Sequence, residues 1–158
     1  MQESSKNYIP TLQGINLVGD SVSFPEDLNN NLTLFVIGFK REQQKDIDTW
    51  IQTYNQKKLA EQKIDFFELP IIYEVGMVKR LFINNGMKMG IPDLEQRQRT
   101  VTIYMERQNL FDALEMKEDR IYSLLVDKKG EILWRSEGVA SPEKMENLER
   151  AIKDYVPE

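Results

Sequence analysis

The run Leu32-Thr-Leu-Phe-Val-Ile-Gly-Phe39 constrains the fold more than any other part of the chain. It has strand length, is nearly continuous in apolar residues, and is bounded by Asn29-Asn30-Asn31 and Lys40-Arg41. A strand with one wet face alternates apolar and polar residues. A run without alternation suits a strand buried on both faces, as in the middle of an α/β sheet. The period then changes: Ile47, Trp50, Ile51 and Tyr54 fall at i, i+3, i+4 and i+7, one face of a helix.

A buried strand feeding an amphipathic helix sets the frame for the rest. Ile64 to Leu69 reads as a second strand, stopped by Pro70. Tyr73 to about Met89 reads as a helix with Met77, Val78, Leu81 and Phe82 on its apolar side. Asn84-Asn85-Gly86 is expected to end or kink that helix, since Gly and Asn tolerate a left-handed cap. Gly90 to Arg99 is polar and unpatterned. Val101 to Tyr104 is a short strand, and Arg107 to Leu114 a short helix. Ile121 to Val126, the turn Asp127-Lys-Lys-Gly130 and Glu131 to Arg135 form a hairpin. Ser141 as N-cap with Pro142 behind it opens a last helix, whose inner stripe is Met145, Leu148, Ile152 and Tyr155. Upstream, Ile15 to Phe24 reads as an entry hairpin around Val18-Gly19-Asp20-Ser21. The order predicts a mixed sheet with helices on both faces, one domain over residues 14–158 behind an N-terminal tail of residues 1–13.

Composition narrows the chemistry. The chain has no cysteine and no histidine. Disulfides, thiolate nucleophiles, zinc–thiolate sites and the usual neutral-pH general base are therefore excluded. Lys and Arg (21) mix with Asp and Glu (26) for a net charge of −5, which argues against a nucleic-acid binder. No phosphate loop or EF-hand-type loop is present, and no cofactor or metal site is expected. No apolar run approaches the ~18 residues of a membrane span, so an integral membrane protein is not expected. Met1 to Pro10 lacks a signal-peptide core. The chain either stays where it is made or is a mature form restarted with Met1; its compartment is open.

The entry hairpin from Gly14 to Phe24, the buried strand ending Ile37-Gly-Phe39 and Leu124-Leu-Val-Asp-Lys-Lys-Gly-Glu-Ile-Leu-Trp134 together resemble the thioredoxin-like superfamily, especially its peroxiredoxin-like and TlpA-like branches. The resemblance implies an α/β fold: a thioredoxin-like mixed β-sheet flanked by helices, with an N-terminal hairpin and an insert before the C-terminal hairpin. In that superfamily the active cysteines follow the first buried strand; here Gln43 and Asp46 stand at those positions. A cis-proline faces them; here Ile121 stands there. Phe39 to Trp50 and Ile83 to Asp93, followed by Arg97-Gln-Arg-Thr100, look like cysteine-free members from bacteria. The first of these stretches also resembles the mitochondrial factor that assists assembly of the membrane sector of ATP synthase.

These readings predict a non-redox binding or assembly module, with a protein partner, acting through the rewritten former redox groove. The alternative is a small-molecule or anion-binding protein, or an unrecognised enzyme; a plain structural domain completed by another chain is a third reading. Candidate binding residues fall in two segments. Lys40, Arg41, Gln43 and Gln44 lie where a strand end meets a helix start, the usual ligand position in open α/β sheets. Asn84, Asn85, Arg97 and Arg99 lie in the long polar stretch, with forked donors suited to a carboxylate or phosphate. The plainer alternative for the second group is internal tying. Glu68 is an acid inside an apolar strand, expected to pair with Lys40, Arg41, Arg97 or Arg99. Glu42, Asp46, Asp48, Glu74 and Asp93 complete the acids considered for a catalytic pair; most are expected to be solvated. Trp50, Tyr54, Phe82, Trp134 and Tyr155 are read as core aromatics, with Tyr104 and Tyr122 open to a place at the old groove.

Overall fold

The structure is a computed structural model that describes residues 7–73 and 76–157; Glu74 and the Met77 side chain lie outside the described residues. Among the described residues seven strands form one mixed sheet in the order β2-β1-β5-β4-β3-β6-β7. At its centre β3 (Leu32–Gly38) is buried along its whole length. It runs parallel to β4 (Ile64–Ile72) and antiparallel to β6 (Tyr122–Asp127), which continues to β7 (Ile132–Glu137). The entry hairpin, β1 (Leu12–Asn16) and β2 (Ser21–Phe24), joins the far side through β5 (Val101–Tyr104). Gly14 marks that junction: a Cβ there would stand 2.1 Å from the Thr102 carbonyl oxygen, so only glycine allows β1 to approach β5. The packed chain begins upstream of Gly14, with Ile9 and Leu12 both in the core.

Because side chains alternate across a strand, β3 feeds two cores. Leu34 and Val36 face α1 (Gln44–Gln56) and α5 (Pro142–Asp154), with Trp50, Tyr54, Met145 and Leu148. Phe35 and Ile37 face the other layer, with Phe24 and with Leu110 and Leu114 of α4 (Arg107–Leu114). Helices thus cover both faces, the expected thioredoxin-like arrangement. Trp50 sits at 0% exposure, and its indole N–H donates to the Gly138 carbonyl at 2.8 Å, tying α1 to the end of β7.

Several boundaries differ from expectation. β4 does not stop at Pro70 but runs on to Ile72. Pro70 stands opposite Gly38, the last residue of β3, so its missing N–H interrupts no further pair there, while Ile71 and Ile72 pair with β5. The next helix, α2, therefore starts at Met77 rather than Tyr73 and runs unbroken through Asn84-Asn85-Gly86 to Gly90. Packing on β5 outweighs the local breaker signal: the Tyr104 hydroxyl bonds Asn84 Oδ1 at 3.1 Å and Thr102 Oγ1 meets Met87 Sδ at 3.6 Å. The stretch read as unpatterned holds α3 (Leu94–Gln98), capped by Asp93, whose carboxylate accepts the Gln96 N–H at 2.9 Å. The Asp93-x-x-Gln96 spacing is a helix-start signal that could have located it.

The apolar side of α2 is the clearest correction. Val78 is 82% exposed, Leu81 60% and Phe82 79%, so Phe82 is not a core aromatic. The helix turns Ile83, Asn84 and Met87 toward the protein instead, leaving the stripe of Val78, Leu81, Phe82 and Met89 facing out. Among the described residues no helix is long and apolar enough to cross a membrane.

Candidate functional site

A cleft of about 850 Å³ opens at the C-terminal ends of β3 and β4, between α1 and α2. It lies where a parallel strand pair delivers its chain ends, the usual ligand position in open α/β sheets. Its floor is Glu68 and Pro70 of β4. One wall is Gln44, Ile47, Asp48 and Ile51 of α1; the other is Phe82, Ile83 and Met87 of α2. Lys40 and Arg41, both exposed, line its edge. Four predicted residues, Lys40, Arg41, Gln44 and Glu68, therefore do converge in one concavity.

Glu68 follows Ile64 and Phe66 on the α1 face of β4, so the strand's pleat carries a carboxyl into an apolar layer. It is 2% exposed, and its Oε1 has no hydrogen-bond partner. The expected cation is not there: among the described residues, no Lys or Arg pairs with it. Arg99, the nearest in register, extends to Asp65 at 2.6 Å and the Phe66 carbonyl at 3.1 Å, away from the cleft. Burial pushes the Glu68 carboxyl up to about 7; a hydrogen bond from the Gln44 amide opposes this rise, and the Asp48 carboxylate adds to it. The Gln44 amide also donates to Asp48 at 3.0 Å, linking the two acids.

Of the remaining predicted residues, Gln43, Asn84, Arg97 and Arg99 are used internally. Gln43 is buried, and its Oε1 accepts from the Phe39 and Lys40 N–H groups at 2.7 and 3.0 Å. Its amide nitrogen donates to the Glu118 carbonyl at 2.8 Å. Arg97 donates to the Ile91 and Lys88 carbonyls at 2.5 and 2.7 Å, satisfying the end of α2. Asn84 receives Tyr104, and Asn85 is exposed outside the cleft. The Arg/Asn pattern that suggested an anion site thus ties the α2–α3 corner together.

A residue that sequence reasoning missed ties the ends of β3 and β4 to Glu118. Arg107, at the start of α4, is 9% exposed. Its guanidinium donates to the Phe39 carbonyl, to the Ile71 carbonyl at 3.1 Å and to the Glu118 carboxylate at 3.1 Å, and lies 4.4 Å from the Tyr73 ring centre. Together Gln43 and Arg107 bridge the ends of β3 and β4 to the segment before Ile121, which is itself at 0% exposure. Gln43 and Arg107 thus both reach Glu118, just upstream of Ile121. No local sequence signal marks Arg107, because its partners lie 36 and 68 residues away.

Comparison with solved structures places the fold. The chain is similar to yeast Sco1 (TM-score 0.61, 14% identity, 96% of this chain and 98% of that one). It is similar to a thiol:disulfide interchange protein from Bacteroides sp. (0.56, 19%, 96% and 91%). It is similar also to BsSco, of the Sco family of cytochrome c oxidase assembly proteins (0.56, 18%, 93% and 93%). These TM-scores, over nearly the whole of each chain, show a shared thioredoxin-like fold. No curated protein matches at a significant level. A family model described as ATP10 protein matches residues 1–154.

Proposed function

The chain belongs to the ATP10 protein family, and from that premise we propose that it is a non-redox binding module that assists assembly of a partner protein, holding an apolar segment of that partner across α2 and the cleft. The observation that carries this reading is the outer stripe of α2. Val78, Leu81, Phe82 and Met89 form an apolar face exposed beside the cleft, and Phe82 belongs to both. A helix that is apolar on its inner and outer sides is built to be covered on both.

Three further observations support it. Cysteine and histidine are absent, so the scaffold cannot run the thiol chemistry of its structural relatives. Gln43, at a position that the resemblance assigns to a redox cysteine, and Arg107 spend their polar groups on internal hydrogen bonds. The resemblance to a mitochondrial assembly factor, and the fold shared with BsSco, a member of the Sco family of cytochrome c oxidase assembly proteins, point toward handling other chains.

A tagged chain, recovered from its source cells after mild crosslinking, is expected to bring one defined protein with it. Leu81→Asp combined with Phe82→Asp is expected to fold as the parent does, within about 0.5 kcal/mol, because both side chains are exposed. That variant should lose the partner. Undiminished recovery by the variant would remove α2 from the account, and recovery of no protein by the parent would count against a binding role.

A further inference from the structure

Among the described residues three buried side-chain oxygens lack a hydrogen-bond partner: Thr33 Oγ1, Ser123 Oγ and Glu68 Oε1. Of these only Glu68 lines the cleft. Its carboxyl is therefore stripped of water before anything binds and is held by the strand in a fixed position. A fully apolar occupant would seal that oxygen in without a donor, an arrangement that native structures avoid. The charged groups that face it are few. Asp48 approaches from α1, and Lys40 and Arg41 stand at the edge from the β3–α1 turn; the α2 wall (Phe82, Ile83, Gly86, Met87) and the far end (Ile91, Gln96, Thr100) contribute no charge. The floor is thus acidic, and the walls above it are apolar.

We propose that the cleft floor is a subsite for one basic side chain carried on an apolar segment of the partner protein, its aliphatic stem between Ile47, Ile51 and Met87 and its charge between the Glu68 and Asp48 carboxyls. The inference rests on the reading that a partner segment covers α2 and the cleft, and it deepens it by naming the chemistry recognised. A polypeptide is the occupant because the apolar surface continues out of the cleft over Phe82 to Leu81 and Val78, beyond the reach of a small amine. Lysine and arginine side chains are suited to the site, since their stems bury along apolar walls while the head finds its acceptors. The carboxyl is desolvated in advance, so the partner's charge meets a preorganised acceptor. Binding requires Glu68 ionised. With its carboxyl near 7, the ionised fraction rises from about a tenth at pH 6 to about nine-tenths at pH 8, and affinity follows that fraction.

The test uses the full chain and three probes: a helical Leu/Ala peptide with one central lysine, the same peptide with norleucine at that position, and hexylamine. The lysine peptide is expected to bind about tenfold more tightly at pH 8 than at pH 6, with the norleucine peptide unaffected by pH. In Glu68→Gln the lysine peptide should lose its pH dependence. In the parent, carbon-13 NMR of the Glu68 carboxyl should show its titration moved to lower pH by the lysine peptide, a readout independent of how any variant folds. Equal, pH-independent binding of both peptides would overturn this inference and leave the apolar-partner reading standing. Binding of neither peptide would overturn that reading and this one with it. Hexylamine reproducing the full effect of the lysine peptide would make the site one for free amines. Self-association that excludes both peptides would assign the face to a second copy. Either of these last outcomes overturns the proposal.

Discussion

Glu68→Gln is expected to stabilise the protein at pH 8 by roughly 3 kcal/mol while leaving it within about 1 kcal/mol of the parent at pH 4. The reason is the carboxyl's burial. Its ordinary value of 4.5 rises to about 7 in the folded chain. Below 4.5 it is protonated in both folded and unfolded chains, so it contributes no difference. Between 4.5 and 7 the unfolded chain ionises and the folded one does not, so stability falls as pH rises. Above 7 the loss is complete. At about 1.4 kcal/mol per pH unit the displacement amounts to the figure given. Glutamine keeps the shape and never ionises, so the difference between variant and parent should open across that window. Urea denaturation at several pH values measures it. A difference that stays constant with pH would mean that the carboxyl is not held protonated by burial.

Arg107→Met is expected to cost about 3–4 kcal/mol at any pH between 5 and 8. The side chain serves the Phe39 and Ile71 carbonyls, and both residues are buried. Each buried carbonyl left without a donor costs about 1–3 kcal/mol. Loss of the stack on Tyr73 adds about 0.5–2 kcal/mol, partly offset by the methionine's own packing. The pair with Glu118 adds less, because that carboxylate is 47% exposed. Arg107→Lys should recover only part of the loss, since an ammonium cannot reach three divergent acceptors as a planar fork does. A methionine variant within 1 kcal/mol of the parent would show that the ends of β3 and β4 are not held by this residue.

The parts of the molecule legible in the sequence are those whose signal is local. The unbroken run at β3, the i, i+3, i+4 spacing of Ile47, Trp50 and Ile51, the Gly130 turn and the Ser141-Pro142 cap each carry their own physical reason, and each folds as expected. Glu68 stood out for the same reason: an acid in an apolar strand violates the pattern. Its partner did not, because whether Gln44 or an arginine comes over β4 depends on how α1 lies on the sheet. Arg97 and Arg99 could be read from sequence either as a ligand site or as internal ties, because their acceptors, Lys88, Ile91 and Asp65, are set by the fold. Periodicity also showed that Val78, Leu81 and Phe82 share one side of a helix. It could not show which side the protein covers, and here it leaves that one bare.

A partner-binding role rests on that bare side of α2. The most direct measurement is photo-crosslinking in source cells with a photoreactive side chain placed at position 82 of α2 and, separately, at position 146 of α5, where Glu146 is exposed on the same layer. A single defined protein adduct is expected from position 82 and none from position 146. Adducts of equal yield and identity from both positions, or from position 146 alone, would contradict it.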